Sequence, residues 1–112
     1  MAFVIERDSF DSEAEALEIA KAAGYFAACL DRPAADVGDH WHEFNTMVFV
    51  LEREITITDS ATGKTHRCGP GTRYSLAKGD LHREKTDGFK AVIAIDRDPA
   101  TLRDPIDKPP VT

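Results

Sequence analysis

The chain has 112 residues, of which 42% are hydrophobic and 30% charged, the balance of an ordinary globular domain, and we expect residues 1–112 to form one domain. A formal net charge of -6, with Lys and Arg scattered along the chain, argues against a nucleic-acid or anionic-membrane partner. The apolar run at residues 47–51 is far too short to span a bilayer. With no signal-peptide pattern, we expect a cytoplasmic protein in which Cys29 and Cys68 are reduced thiols.

A short strand and one helix are predicted in the first 24 residues. Residues 3–5 are typical of a short edge strand. Ser12 and Glu15 have the spacing of a capping box, and small apolar residues then recur at helical spacing up to Gly24, a natural helix stop. We therefore predict a helix at residues 13–23.

Short β-rich segments separated by turns fill most of the remaining chain. The predicted strands are residues 25–30, 47–51, 55–58, 64–68, 73–76, 82–86 and 91–95. Residues 31–33 and 36–39 are interpreted as breakers between them. This pattern predicts an all-β sandwich or barrel. Residues 98–112 hold four of the six prolines and are predicted to be extended, either draped over the barrel or loose.

Three histidines carry the main chemical signal. On a strand, His40 and His42 would point to the same face, with Cα atoms about 6–7 Å apart, because side chains alternate with period 2. His82, from a distant strand, would complete a facial set that leaves coordination positions open. Such a site suits a metal that acts on a substrate better than a purely structural metal.

These motifs resemble those of the cupins, small β-barrels with a metal site in the barrel mouth. Gly38, His40 and His42 match the first cupin motif, and the approach from Gly71 to His82 matches the second. The resemblance implies a cupin-type double-stranded β-helix (jelly-roll) barrel at residues 25–96. An N-terminal strand and helix at 1–24 would precede it, and a proline-rich tail at 97–112 would follow. It also implies that His40, His42 and His82 are the metal ligands.

Two positions depart from the cupin pattern. The glutamate ligand of the first motif would fall at Met47, or at Thr46 with a one-residue shift, and is missing. The closing glycine falls at Arg53, which predicts a less tight or differently shaped turn. Three imidazoles alone leave more room for water, substrate or dioxygen. Some cupins, including certain dioxygenases, are similar in having only three histidines.

A nearby carboxylate could compensate for the missing glutamate. Glu84 lies two residues after His82 and is predicted to share its face, as a ligand, a general base or a partner of an imidazole nitrogen. The alternative is a solvated carboxylate at the rim, paired with Arg83 or Lys85. Glu43 is expected to point away from the metal.

Four further side chains are given structural interpretations. Trp41 is expected to face away from the metal and to pack under the helix or in a subunit interface. His66 is expected to be exposed, Cys68 to be a small residue entering a turn, and Cys29 a small core residue.

The resulting functional hypothesis is a metal-dependent enzyme on a small organic molecule, either dioxygenase-like or an isomerase or lyase. Fe²⁺ is favoured as the divalent ion, with Zn²⁺, Mn²⁺ or Ni²⁺ as alternatives. The competing hypotheses are a non-catalytic small-molecule binding or sensing cupin and a structural barrel with vestigial histidines. A homodimer through sheet edges is expected in any of these cases.

Overall fold

A computed structural model describes residues 3–110, which form nine strands, one α-helix and a single 3-10 turn. In chain order the elements are β1 (Val4–Glu6), α1 (Glu13–Ala22), β2 (Phe26–Arg32), β3 (Ala35–His40), β4 (Thr46–Arg53), β5 (Ile55–Asp59), β6 (Thr65–Cys68), β7 (Arg73–Leu76), β8 (His82–Thr86), β9 (Phe89–Ile95) and the 3-10 turn (Pro99–Thr101). The described part of the chain contains no helix with the length and apolarity to cross a membrane.

The strands form two antiparallel sheets that enclose the core. The larger sheet has the order β1-β7-β4-β9-β2, and the smaller has the order β3-β8-β5-β6. This arrangement confirms the predicted jelly-roll barrel with one helix near the N-terminus. The core between the sheets consists of buried side chains from both, including Val48, Val50, Ile55, Ile57 and Phe89.

Strand β4 is buried on both faces, which explains its unbroken apolar sequence. Val48 and Val50 point into the barrel, whereas Met47 and Phe49 point outward and pack with the helix residues Ala16 and Ala20. A strand covered on both sides has no solvated face to mark with polar residues.

Helix α1 begins and ends where the capping signals predict. The Ser12 hydroxyl accepts a hydrogen bond from the Glu15 amide (3.1 Å), and the Glu15 carboxylate accepts one from the Asp11 amide (2.7 Å). Gly24 follows the helix in the left-handed conformation, with φ of 83°, that glycine adopts without strain.

The prediction of a break at residues 36–39 is wrong, and the break predicted at residues 31–33 lies at Pro33 and Ala34, between β2 and β3. Strand β2 continues to Arg32, and β3 is a six-residue strand that pairs with β8. Strand β3 lies at the edge of its sheet, so Asp36 and Asp39 are exposed while Val37 points into the barrel. A shift of register between Val37 and His40 accommodates the irregular sequence around Gly38.

The C-terminal tail crosses the barrel and is held there by Trp41. The backbones of Trp41 and Lys108 exchange two hydrogen bonds, of 3.1 and 2.9 Å. The Trp41 indole also donates to the Pro109 carbonyl (2.8 Å). The expected packing of Trp41 under the helix is therefore wrong, because its partner is the tail of its own chain, and a place in a subunit interface stays a prediction.

The remaining structural expectations have mixed outcomes. Cys68 is buried in the barrel core, Cys29 packs near the helix, and both are free thiols. His66 is half-buried rather than exposed, because its ring stacks on Phe3 with 5.5 Å between ring centroids.

Gly79, in the turn before β8, is predicted to be needed for the stability of the fold. Its φ is +85°, where an added Cβ is strained, whereas Gly69 has an ordinary φ and open space around it. We expect Gly79→Ala to lower the free energy of unfolding by about 1–2 kcal/mol, and Gly69→Ala to leave it unchanged or slightly raised. Urea denaturation of both variants measures this, and equal effects would contradict the assignment.

Candidate metal centre

The pairing of β3 with β8 brings two distant histidines together. His40 is the last residue of β3, His82 is the first residue of β8, and the two are direct cross-strand partners. His42 lies just beyond β3, in a loop rather than on a strand. The Trp41–Lys108 bridge keeps this part of the chain extended, so His42 still shares the face of His40.

The three imidazoles form a tight cluster. Ring centroids are 4.2 Å apart for His40 and His82, and 5.1 Å apart for each pair that includes His42. One nitrogen from each ring lies within 4.8 Å of the corresponding nitrogens of the other two. The structure thus brings together the three histidines that the sequence singles out.

Each imidazole is oriented by a backbone carbonyl at its Nδ1 atom. His40 Nδ1 bonds to the Gly38 carbonyl (2.7 Å), His82 Nδ1 to that of Asp80 (2.9 Å) and His42 Nδ1 to that of Ile106 (3.2 Å). A carbonyl can only accept, so the proton is on Nδ1 and each Nε2 keeps its lone pair. This is the tautomer and the type of anchoring typical of metal-binding histidines.

The state of the His40 Nε2 atom fits a metal ion. His40 is 3% exposed, and its Nε2 is buried without a hydrogen-bond partner. An unpartnered buried acceptor costs about 1–3 kcal/mol, which a bound ion would offset. Three neutral imidazoles form a donor set suited to Zn²⁺, Fe²⁺, Ni²⁺ or Cu²⁺.

Burial also favours the neutral form of the His42 and His82 imidazoles. Desolvation lowers the pKa of His82 to about 4, and it lowers the pKa of His42 below its usual value, partly offset by the Ile106 carbonyl. Protons therefore compete weakly for the Nε2 atoms near neutral pH, which favours metal binding.

The cluster opens into a cavity of about 400 Å³ between the two sheets. His42 and His82 lie on its wall, and the rest of the lining is mainly apolar. The apolar lining includes Val37, Phe44, Val48, Ile55, Leu76, Phe89 and Ile93. A mostly apolar pocket with a few convergent polar groups is typical of sites for small organic molecules.

Glu84 lines this cavity on the same face of β8 as His82, as predicted. Burial raises the pKa of its carboxyl above 4.5, the usual value. Among the described residues, the group of side chains close enough together to share one metal ion does not include Glu84. The alternative pairing of Glu84 with Arg83 is not seen, because the ion pair of Arg83 is with Asp39 (3.8 Å).

Tyr74 and Thr46 add two hydroxyl groups to the cavity wall. Tyr74 is buried, and desolvation, with the nearby Glu84 carboxylate, raises its pKa well above 10. The Thr46 hydroxyl is buried without a hydrogen-bond partner. The Thr46 hydroxyl is therefore available to a ligand.

The structure also locates the two departures from the cupin pattern. Thr46 rather than Met47 faces the cavity, so a threonine stands at the inward position near the start of β4. Arg53 has a φ of 62°, the left-handed conformation that favours glycine. Its guanidinium bonds to the Gly88 carbonyl and to Asp31, both at 3.0 Å, which fixes the turn.

Of two acidic residues next to the cluster, one points away from the histidines and the other lies against them. Glu43 points away from the cavity and pairs with Arg97 (3.6 Å), as expected. Asp107, which the sequence analysis did not single out, places a carboxylate oxygen 3.9 Å from His40 Nε2 and 3.6 Å from His42 Nδ1. It lies outside both motifs, so only the path of the tail reveals it.

Comparison with known sequences gives a partial match. No protein-family model matches the chain. The chain is 47% identical to an L-ectoine synthase from Saccharopolyspora erythraea over 57 residues, which are 48% of this chain and 42% of that protein. An L-ectoine synthase from Hyphomonas neptunium is 42% identical over 48 residues, 43% of this chain and 36% of that one. The matches therefore span less than half of these curated relatives.

Comparison with solved structures covers more of the chain. A DUF861 family protein from Thermotoga maritima superimposes with a TM-score of 0.60 at 17% identity, over 84% of this chain and 99% of that one. A DMSP lyase from Ruegeria pomeroyi superimposes with a TM-score of 0.59 at 23% sequence identity, over 70% of this chain and 41% of that one. A cupin superfamily protein from Desulfitobacterium hafniense superimposes with a TM-score of 0.55 at 12% identity, over 87% of this chain and 79% of that one. The chain thus has the cupin fold, with a three-histidine cluster at its cavity.

Proposed function

We propose that this protein is a metal-dependent enzyme that acts on a small organic molecule, with His40, His42 and His82 as the metal ligands. One observation carries the proposal: three carbonyl-anchored imidazoles form one cluster, and two of them, His42 and His82, line a cavity of about 400 Å³ that Glu84 also lines. Structural zinc sites are closed, because protein ligands fill every coordination position. Three imidazoles beside a cavity leave positions for a substrate.

The residues of the cavity have distinct roles in this proposal. The ion, when bound, supplies Lewis-acid chemistry, or dioxygen chemistry if it is Fe²⁺. Glu84 accepts or donates a proton, because a carboxyl with a raised pKa can exchange protons closer to neutral pH. Tyr74 and Thr46 orient substrate oxygen atoms through their hydroxyls, and the apolar walls exclude water.

Among the reaction classes, we favour lyase chemistry over dioxygenation. The similar proteins include a DMSP lyase, and the sequence matches are to L-ectoine synthases. A proton-transferring carboxyl next to a Lewis acid suits the removal of a proton beside a polarised oxygen. Iron in the purified protein would redirect assays toward oxygen uptake.

Metal content is the first prediction of this proposal. Protein purified without chelator or an affinity-tag nickel column is expected to contain about one equivalent of a divalent metal by elemental mass spectrometry. The double variant His40→Ala/His42→Ala is expected to contain none, because it loses two of three donors. His66→Ala is the matched control and should retain the metal, since His66 lies on β6, outside the cluster.

Absence of metal from the parent protein, even after reconstitution with Fe²⁺, Zn²⁺, Mn²⁺ and Ni²⁺, would contradict the enzyme proposal. Equal metal in the parent and the double variant would place the ion elsewhere. Bound metal together with a retained, unconverted small molecule would favour a binding or sensing protein.

Glu84 is predicted to transfer protons and not to bind the metal. We expect Glu84→Gln to keep the metal content of the parent, because its carboxyl lies outside the donor cluster. In the parent, carbon NMR of the carboxyl is expected to show titration above pH 4.5, the direction that burial imposes. Loss of metal in the Gln variant would instead assign Glu84 as a ligand, and a pKa at or below 4.5 would argue against proton transfer.

A homodimer through the free edge of β2 is also part of the proposal. Strand β2 ends the larger sheet and carries two exposed apolar side chains, Phe26 (47%) and Leu30 (39%). Light scattering is expected to give twice the 12.3 kDa mass of one chain. Phe26→Glu should halve that mass, whereas Val4→Glu, on the opposite edge strand β1, should not. A monomeric parent would contradict the dimer.

A further inference from the structure

The segment at residues 102–108, called here the C-terminal strap, lies across the cavity next to the histidine cluster. Leu102, Ile106 and Asp107 line the cavity from this segment. The Lys108 ammonium donates to the Pro105 carbonyl (2.7 Å) and lies 4.0 Å from the Glu43 carboxylate. These contacts fix the end of the strap against the loop that carries His42.

A backbone pairing fixes which residues of the strap lie beside the histidine cluster. Lys108 pairs with Trp41, the residue between His40 and His42. Its neighbour Asp107 therefore lies against the cluster, with one carboxylate oxygen 3.9 Å from the unpartnered Nε2 of His40. The preceding residue, Ile106, supplies the carbonyl that orients His42.

Among the described residues of the barrel, none supplies a carboxylate at the inward position near the start of β4, where the cupin pattern has its glutamate ligand. That position is Thr46. Among the described residues the donor cluster contains only the three histidines, so Glu84, Glu43 and Asp107 all lie outside it as placed. A divalent ion held by three neutral imidazoles keeps its full double charge, which an adjacent carboxylate would reduce. Asp107 is 51% exposed, so its side chain has room to turn toward the ion.

We propose that Asp107 is a fourth protein ligand of the metal, supplied by the C-terminal strap from the open side of the cavity. This inference rests on the proposed function, because it requires a metal at the three histidines. Its consequence is reciprocal coupling: the strap strengthens metal binding, and the metal holds the strap across the cavity.

The test measures metal affinity and strap protection without any substrate. Zn²⁺ affinity is determined by competition with a chromophoric chelator for the parent, Asp107→Asn and Asp104→Asn. Asp104 is an exposed residue of the same strap, so its variant loses the same charge and serves as the control. Hydrogen exchange of the Trp41 and Lys108 amides, which bond across the bridge, is measured with and without Zn²⁺.

We expect Asp107→Asn to raise the dissociation constant about tenfold or more, and Asp104→Asn to leave it unchanged. Zn²⁺ should slow exchange of both amides in the parent and in Asp104→Asn, but not in Asp107→Asn. Parent-like affinity and protection in Asp107→Asn would overturn the inference and leave the three-histidine site intact. Failure of the parent itself to bind Zn²⁺, Fe²⁺, Mn²⁺ or Ni²⁺ would overturn the proposed function and this inference together.

Discussion

The site depends on the antiparallel pairing of β3 with β8. This pairing makes His40 and His82 direct neighbours although 41 residues of chain lie between them. A slip of one residue would turn one imidazole to the opposite face, because side chains alternate along a strand. The turn that contains Gly79 and the shift of register after Val37 are the features that fix this alignment.

Desolvation gives the cluster its chemical character. Burial lowers the pKa of His42 and of His82, so both rings favour the neutral form, while carbonyl acceptors fix their Nδ1 protons. The same burial leaves the Nε2 of His40 without a partner, which is rare for a polar atom in a folded protein. The fold thus keeps a destabilising arrangement that only a ligand completes, a feature typical of functional sites.

The sequence predicts much of this arrangement because its strongest signals are local. Capping residues define α1, and a continuous apolar run marks β4, the strand covered on both faces. The spacing of His40 and His42 survives although His42 lies outside β3, since an extended loop preserves the alternation.

What the sequence does not predict depends on contacts between distant segments. Strand β3 is not predicted, because its Asp and Gly residues are typical of a turn. Only the pairing with β8 holds them as a strand. Trp41 and Asp107 acquire their roles from the path of the tail, which has no periodic pattern. The conformation of Arg53 is likewise set by its bonds to Gly88 and Asp31 rather than by its own preference.

The central claim is that the three histidines hold one metal ion through their Nε2 atoms. The most direct measurement is an anomalous-difference map, recorded at the absorption edge of the metal, from crystals of the metal-loaded protein. The account predicts one strong peak, about 2.0–2.2 Å from the Nε2 atoms of His40, His42 and His82. A peak at any other place, or none at the cluster at full metal loading, would contradict it.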